Sequence, residues 1–372
     1  MIFFKMKNNN KNKVVFVVDS LTQPRCIKRI LSFANAGYEC EVYGYDRKKF
    51  NCNILPEGIK VTVLGEMKDG EDYLKKLKTL RKDIRGILKT HKSENPLFYS
   101  FGFISTLLFF LRRKEYIYEI SDILYGYPKF DKVLWLFKWI DKRMIKKSIV
   151  TVMTSEGFRE FLGLQADNIV IQPNKVNSTL VDAVREPMSV TKNQGLVFSF
   201  VGTARYDTIY RFAEVIGTHF PQHQFHFYGQ AYGGALKVCT NLSSRFPNVK
   251  YYGAYKNPEE LEGIYSKINI VVACYTPNSL NERLAEPNKL YESMFFCKPI
   301  IVSDGIFLAR QVKAYQCGYC LDATSDNNII DFVNNLDADD INRISSQDSR
   351  MDPNSLVDNP SEILDKVQAY YN

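Results

Sequence analysis

The stretch whose residue types and spacing could do chemistry is Glu286-Pro287-Asn288-Lys289-Leu290-Tyr291-Glu292. Lys289 and Glu292 are three residues apart, so on a helix they share a face. An ammonium suited to a phosphate and a carboxylate suited to paired hydroxyls would then point the same way, and phosphate plus ribose diol describes a nucleotide. Pro287 suits a first-turn position, since its missing N–H would have no helical partner there. The unpaired N–H groups of such a turn attract an anion. The same spacing also suits an ordinary surface ion pair, and spacing alone leaves both readings open.

The motif stands between two apolar, β-branched runs, Ile268-Asn269-Ile270-Val271-Val272-Ala273 and Ile300-Ile301-Val302. Each suits a strand in a sheet covered on both faces. A strand, a loop, a short helix and a strand are therefore expected, and in an open parallel sheet the loop leaving a strand's carboxyl end faces the ligand. The alternation runs through the whole chain. In the first half, strands are expected over 14–19, 39–45, 60–64, 97–100, 116–120, 149–154 and 168–172, and helices over 25–36, 73–92, 102–113 and 131–147. A polar stretch over 177–195 reads as a linker, and the pattern restarts with strands over 196–201, 224–228, 249–252, 268–273 and 299–302. Alternation twice over predicts an α/β protein of two Rossmann-like, doubly wound domains facing across a cleft. Their expected ranges are 1–185 and 186–345, with a tail helix in 346–372 packing back on the first domain.

Composition agrees with this and narrows the partners. A chain of 372 residues exceeds the size at which a single core stops growing. The net charge of +8 suits anionic partners such as nucleotides, nucleic acid or an acidic membrane surface, without choosing among them. The first strand opens into Ser20-Leu21-Thr22-Gln23-Pro24 with no glycine fingerprint, which argues against a nicotinamide enzyme. The eight cysteines, Cys52 among them, are scattered in apolar contexts, as in reduced, cytosolic proteins. Cys317-Gly318-Tyr319-Cys320 lacks the second pair or histidines of a zinc site and reads as a core strand. Asp337-Ala338-Asp339 imitates a metal-holding aspartate pair but lies far from any strand end, so a solvated turn or cap is expected and no metal. The lysine-interrupted segment from Met1 to Lys13 does not read as a signal peptide, and the apolar run 97–111 is too short to span a bilayer.

Together these residues resemble the two-domain GT-B glycosyltransferases of family four, over nearly the whole chain. Phe200-Val201-Gly202-Thr203-Ala204-Arg205 looks like the first strand of the family's donor domain with its phosphate-facing arginine. Phe227-Tyr228-Gly229 and Val249 to Tyr255 look like loops lining the base, and Glu259, Leu261 and Tyr265 match the helix that follows. Pro287 to Glu292 with Lys298-Pro299 is similar to the nucleotide-sugar signature. In the first half, Gln23-Pro24-Arg25, Gly37-Tyr38-Glu39, Thr154-Ser155-Glu156 and Gln172-Pro173-Asn174 fall where members carry comparable short motifs.

The resemblance implies that Glu292 binds the ribose hydroxyls and that Lys289 and Arg205 neutralise the diphosphate, with Gly202, Tyr228, Gly229, Tyr255 and Asn288 completing the donor site. It implies sugar transfer from a nucleoside diphosphate sugar of UDP or GDP type to a glycan or lipid-linked glycan, with retention of configuration, no metal, no further cofactor and no nucleic acid. Many members carry a glutamate eight residues before the ribose-binding one, and here that position is Leu284. Glu282 and Glu286 flank it as candidates to face the sugar, while Glu119 and Asp122 are the acidic candidates in the acceptor cleft. The competing readings are a sugar-nucleotide 2-epimerase, disfavoured by the four scattered histidines, and a non-catalytic binding protein on the same fold. The expected location is cytoplasmic, with peripheral contact at the inner face of the membrane. That contact rests on 131–147, where aromatic and basic residues mix as in an interfacial helix. The plain alternative has Val133, Leu136, Ile140 and Met144, at helical spacing, packing on the sheet.

Overall fold

In a computed structural model of the chain, the structure describes residues 12–47, 55–66 and 73–372. The segment before Asn12 and Cys52 lie outside the described residues. The chain divides into two compact units, Met1–Gln172 with Asn359–Asn372, and Pro173–Asp358.

In the first unit seven strands run in chain order as β1 Lys13–Val18, β2 Glu39–Asp46, β3 Lys60–Glu66, β4 Leu97–Phe101, β5 Tyr116–Ile120, β6 Val150–Met153 and β7 Ile169–Ile171. They pair in parallel in the order β3-β2-β1-β4-β5-β6-β7, with Phe16 opposite Val42 on one side and Tyr99 on the other. Phe16, Val42, Tyr99 and Ile117 are fully buried, as strands covered on both faces require. The tail helix Ser361–Tyr371 belongs to this unit: Ile363 and Val367 are fully buried in its core, and the Tyr371 hydroxyl donates to the Lys13 carbonyl at 3.0 Å.

Glu119 in β5 is closed in by side chains of its own unit. The Tyr99 hydroxyl donates to its Oε2 at 2.5 Å, Arg29 Nε lies 3.2 Å from that oxygen, and Arg25 Nε lies 3.3 Å from Oε1. The segment expected as one helix over 131–147 is a 3-10 turn, Pro128–Val133, followed by the helix Leu134–Lys147. Its packing face differs from that of the plain packing alternative. Met144 is buried and Ile140 half-buried, but Val133 and Leu136 are exposed, and the inner face carries Phe137, Asp141 and Ile145 instead. No described helix is long and apolar enough to cross a membrane.

In the second unit the strands are β8 Val197–Val201, β9 Gln224–Tyr228, β10 Val249–Gly253, β11 Ile270–Ala273, β12 Ile300–Ser303 and β13 Gly318–Leu321. All pair in parallel, in the order β10-β9-β8-β11-β12-β13. Cys317 and Cys320 flank and join β13, and every described cysteine is free. The stretch read as a linker is folded onto this unit. Arg185 donates from Nε to the Phe295 carbonyl (2.9 Å), from Nη1 to Met351 (2.6 Å) and from Nη2 to Asp348 (2.6 Å), while Met188 N donates to Ser345 Oγ at 2.7 Å. Asp337, in the acidic cluster, accepts from Asp339 N at 3.3 Å as the N-cap of the helix Ala338–Ser349.

Candidate functional site

In the second sheet the chain winds outward from β8 to β10 on one side, then returns to β11 and winds outward to β13 on the other. The connections after β8 and β11 therefore diverge, and their carboxyl ends open a crevice at the point where the strand order reverses. Gly202 follows β8, and the connection after β11 leads through a short helix, Leu280–Leu284, to the helix Asn288–Phe295.

Two glycines bring this edge together by backbone approach. Gly202 N donates to the Tyr228 carbonyl at 2.7 Å, and Gly229 N donates to the Gly253 carbonyl at 2.7 Å. Gly229 has φ +128°, and a Cβ there would stand 2.0 Å from the Gly202 carbonyl oxygen, so only glycine fits. A Cβ on Gly202, φ +150°, would stand 2.8 Å from Lys289 Nζ. The missing side chain is thus the space that the Lys289 ammonium fills. Tyr228 ends β9 with its ring stacked on Tyr252, 4.6 Å between centroids.

Pro287 occupies the N-cap of the helix Asn288–Phe295, one position ahead of the first turn, and no side chain caps it. Lys289 is buried and donates to Asn288 Oδ1 at 3.2 Å. Burial pulls its pKa below the usual lysine value; Glu292 opposes this and the Arg205 guanidinium adds to it. Arg205 is exposed, with Nη2 donating to the Tyr206 hydroxyl at 2.9 Å.

Glu292 is 2% exposed and fixed on both oxygens: the Tyr265 hydroxyl donates to Oε2 at 2.9 Å, and Asn288 Nδ2 donates to Oε1. Burial and the negative charge of Glu292 hold the phenols of Tyr255 and Tyr265 above the ordinary tyrosine range. Two cations, an anchored carboxylate and a helix start thus converge at one edge of the second unit, an arrangement suited to an anion that also carries hydroxyls.

The flanking acids are engaged locally. Glu282 closes a capping box, its Oε2 accepting from Ser279 N (2.9 Å) while Ser279 Oγ accepts from Glu282 N (3.3 Å). Glu286 is buried and accepts from the Tyr291 hydroxyl. Glu119 and Asp122 both belong to the first unit, Glu119 buried in the ion-pair cluster already described and Asp122 exposed. Among the described residues no group of three or more His, Cys, Asp and Glu side chains could hold a metal ion. Spacing singled out Lys289 and Glu292, and the family resemblance added Arg205, but neither gave Tyr265 a role. Its hydroxyl reaches Glu292 from a helix 27 residues earlier, a distance that local periodicity does not cover.

No protein-family model matches the chain, and no curated protein matches its sequence. Its structure is similar to sucrose-phosphate synthase from Thermosynechococcus elongatus, with a TM-score of 0.73 at 13% identity over 97% of this chain and 98% of that one. It is similar to HepE from Anabaena, solved with UDP-glucose, with a TM-score of 0.68 at 14% identity over 96% and 99%. The fold class is GT-B. A UDP-N-acetylglucosamine 2-epimerase also matches, with a TM-score of 0.63 at 12% identity over 97% of each chain. At these identities the likeness is one of fold. The GT-B chain described here has one Rossmann-like unit in each half, and Gly202, Arg205, Lys289 and Glu292 lie in the second.

Proposed function

We propose that the protein is a family-four-type glycosyltransferase that moves a sugar from a nucleoside diphosphate sugar, of UDP or GDP type, to an acceptor hydroxyl. The observation that carries this reading is the Lys289 ammonium seated against Gly202, with Glu292 three residues on in the same helix and already oriented by Tyr265. Glu292 takes the ribose diol, while Lys289, Arg205 and the uncapped helix start take the diphosphate. Tyr228, Gly229 and Tyr255 line the base. As the bond from the anomeric carbon to the diphosphate breaks, negative charge grows on the leaving oxygen, and cations already in place stabilise it without reorganising. The reading includes retention of configuration, no metal and a hexose donor. The acceptor is a glycan or lipid-linked glycan of a capsular or other surface polysaccharide, at the cytoplasmic side of the membrane.

The test is incubation of the full chain with radiolabelled UDP- and GDP-sugars and a glycan acceptor, with and without a chelator. The expected result is labelled glycan and free nucleoside diphosphate, unchanged by the chelator. Absence of transfer and hydrolysis while nucleotide still binds would leave a non-catalytic binding protein. The likeness to a 2-epimerase favours a second reading on the same site, and product analysis separates the two: an epimerised donor with its diphosphate intact overturns transfer.

A further inference from the structure

Both tryptophans of the chain, Trp135 and Trp139, lie on the helix Leu134–Lys147, and both stand in solvent at 70% and 51% exposure. Leu136, Arg143, Lys146 and Lys147 are exposed on the same arc. The Arg143 guanidinium sits 4.1 Å over the Trp139 ring, so ring and cation are presented as a pair. Asp141, the only acid of the helix, faces the other way: it is buried, and Tyr118 (2.8 Å) and Tyr125 (2.5 Å) donate to its two oxygens. Phe137 stacks on Tyr125 at 5.7 Å on that inner side, and Met144 and Ile145 are fully buried there. The core's need for apolar surface is thus met by the inner face, and the outer arc combines large apolar groups with cations and no acid.

We propose that this outer arc docks on an anionic lipid bilayer. Trp135, Leu136 and Trp139 enter the headgroup boundary, and Arg143, Lys146 and Lys147 meet the lipid phosphates. The helix is too short and polar to span, so it lies in the plane of the interface. Charge selects this occupant: a second copy of a chain carrying +8 brings like charge to the same arc, whereas an anionic leaflet supplies both the counter-charge and an apolar medium for the rings. A soluble polyanion supplies only the charge. The proposal stands apart from the nucleotide reading, because vesicle binding is measured without nucleotide and failure of either leaves the other intact.

Since the chain's tryptophans are confined to this helix, the tryptophan emission of the unmodified protein, excited at the red edge beyond tyrosine absorption, reports on it alone. The full chain is mixed at low salt with vesicles of phosphatidylcholine, or of phosphatidylcholine with phosphatidylglycerol. Expected are a blue shift and protection from iodide quenching with the anionic vesicles only, both reversed by high salt. The variant R143E/K146E/K147E, checked for its melting curve, should partition onto the anionic vesicles at least about a hundredfold less, since loss of three attractive charges alone gives that much and their reversal adds repulsion. No spectral change with anionic vesicles overturns the proposal. Co-sedimentation with unchanged emission also overturns it, because another surface would then be the contact. So does an equal shift with heparin, or a lipid-free dimer that buries the tryptophans.

Discussion

Glu292 is held by Tyr265 and Asn288, each on one of its oxygens, which leaves the remaining lone pairs for the proposed ribose diol. Glu292→Ala should therefore cost roughly 1.5–3 kcal/mol of nucleoside diphosphate binding, about tenfold or more in Kd. Tyr265→Phe should cost less, since it removes the orienting bond and leaves the carboxylate. Calorimetric titration of the folded variants measures both, and an unchanged Kd for Glu292→Ala would sink the assignment. Lys289 adds a pH dependence. Its pKa is pulled down by burial, so the ammonium is lost at a lower pH than that of an ordinary lysine. Affinity for the diphosphate should fall as pH rises through that value, with affinity for the bare nucleoside flat. Lys289→Ala and Arg205→Ala should each weaken the diphosphate much more than the nucleoside; equal losses for the two ligands count against a phosphate role.

At the scale of elements, the strap around Arg185 and the helix Ala338–Ser349 meet at a buried acid. Asp348 is fully buried, neither of its carboxylate oxygens has a hydrogen-bond partner among the described residues, and Arg185 bonds its carbonyl instead. Burial pushes the Asp348 carboxyl up to about 8 from the usual 3.8, against the opposing pull of Arg185. Between those values the folded chain holds a proton that the unfolded chain has released, so stability should fall as pH rises from about 4 to about 8. Asp348→Asn keeps the shape without the ionisation. It should flatten this dependence and be more stable than the parent at pH near 8 by a few kcal/mol, at the order-of-magnitude level. Urea unfolding at both ends of the window decides; parallel curves for parent and variant would show that Asp348 does not titrate there.

At the scale of the whole molecule, the chain leaves the first unit at Gln172 and returns to it at Asn359. The returning helix Ser361–Tyr371 seats Ile363 and Val367 in the first core, each worth about 1.5–3 kcal/mol of burial. Truncation after Asp358 should lower the melting temperature of the first unit, while the Kd for nucleoside diphosphate, which the proposal assigns to the second unit, stays the same. Calorimetric melting with and without UDP separates the two, because a ligand stabilises only the unit that binds it. A nucleotide affinity lost together with the tail would mean that the units do not act separately.

Much of this was legible in the sequence, because strand positions and the Lys289–Glu292 face depend on local periodicity. Apolar runs rich in β-branched or aromatic residues and bounded by polar turns placed the thirteen described strands to within a few residues. Three residues of helix bring an ammonium and a carboxylate to one side whatever surrounds them. What depended on distant partners was not legible. Glu282 and Glu286 carry the charge a sugar site would need, but Ser279 and Tyr291 engage them. The 134–147 segment shows the difference most directly. Helical spacing left two readings open, and the plain one put Val133 and Leu136 inward; the structure turns Asp141 inward and the tryptophans out. A buried aspartate is tolerable only where donors meet it, and those donors, Tyr118 on β5 and Tyr125 in the loop after it, lie outside the helix. Sequence periodicity determined that a helix forms; tertiary hydrogen bonding decided which of its faces is the core.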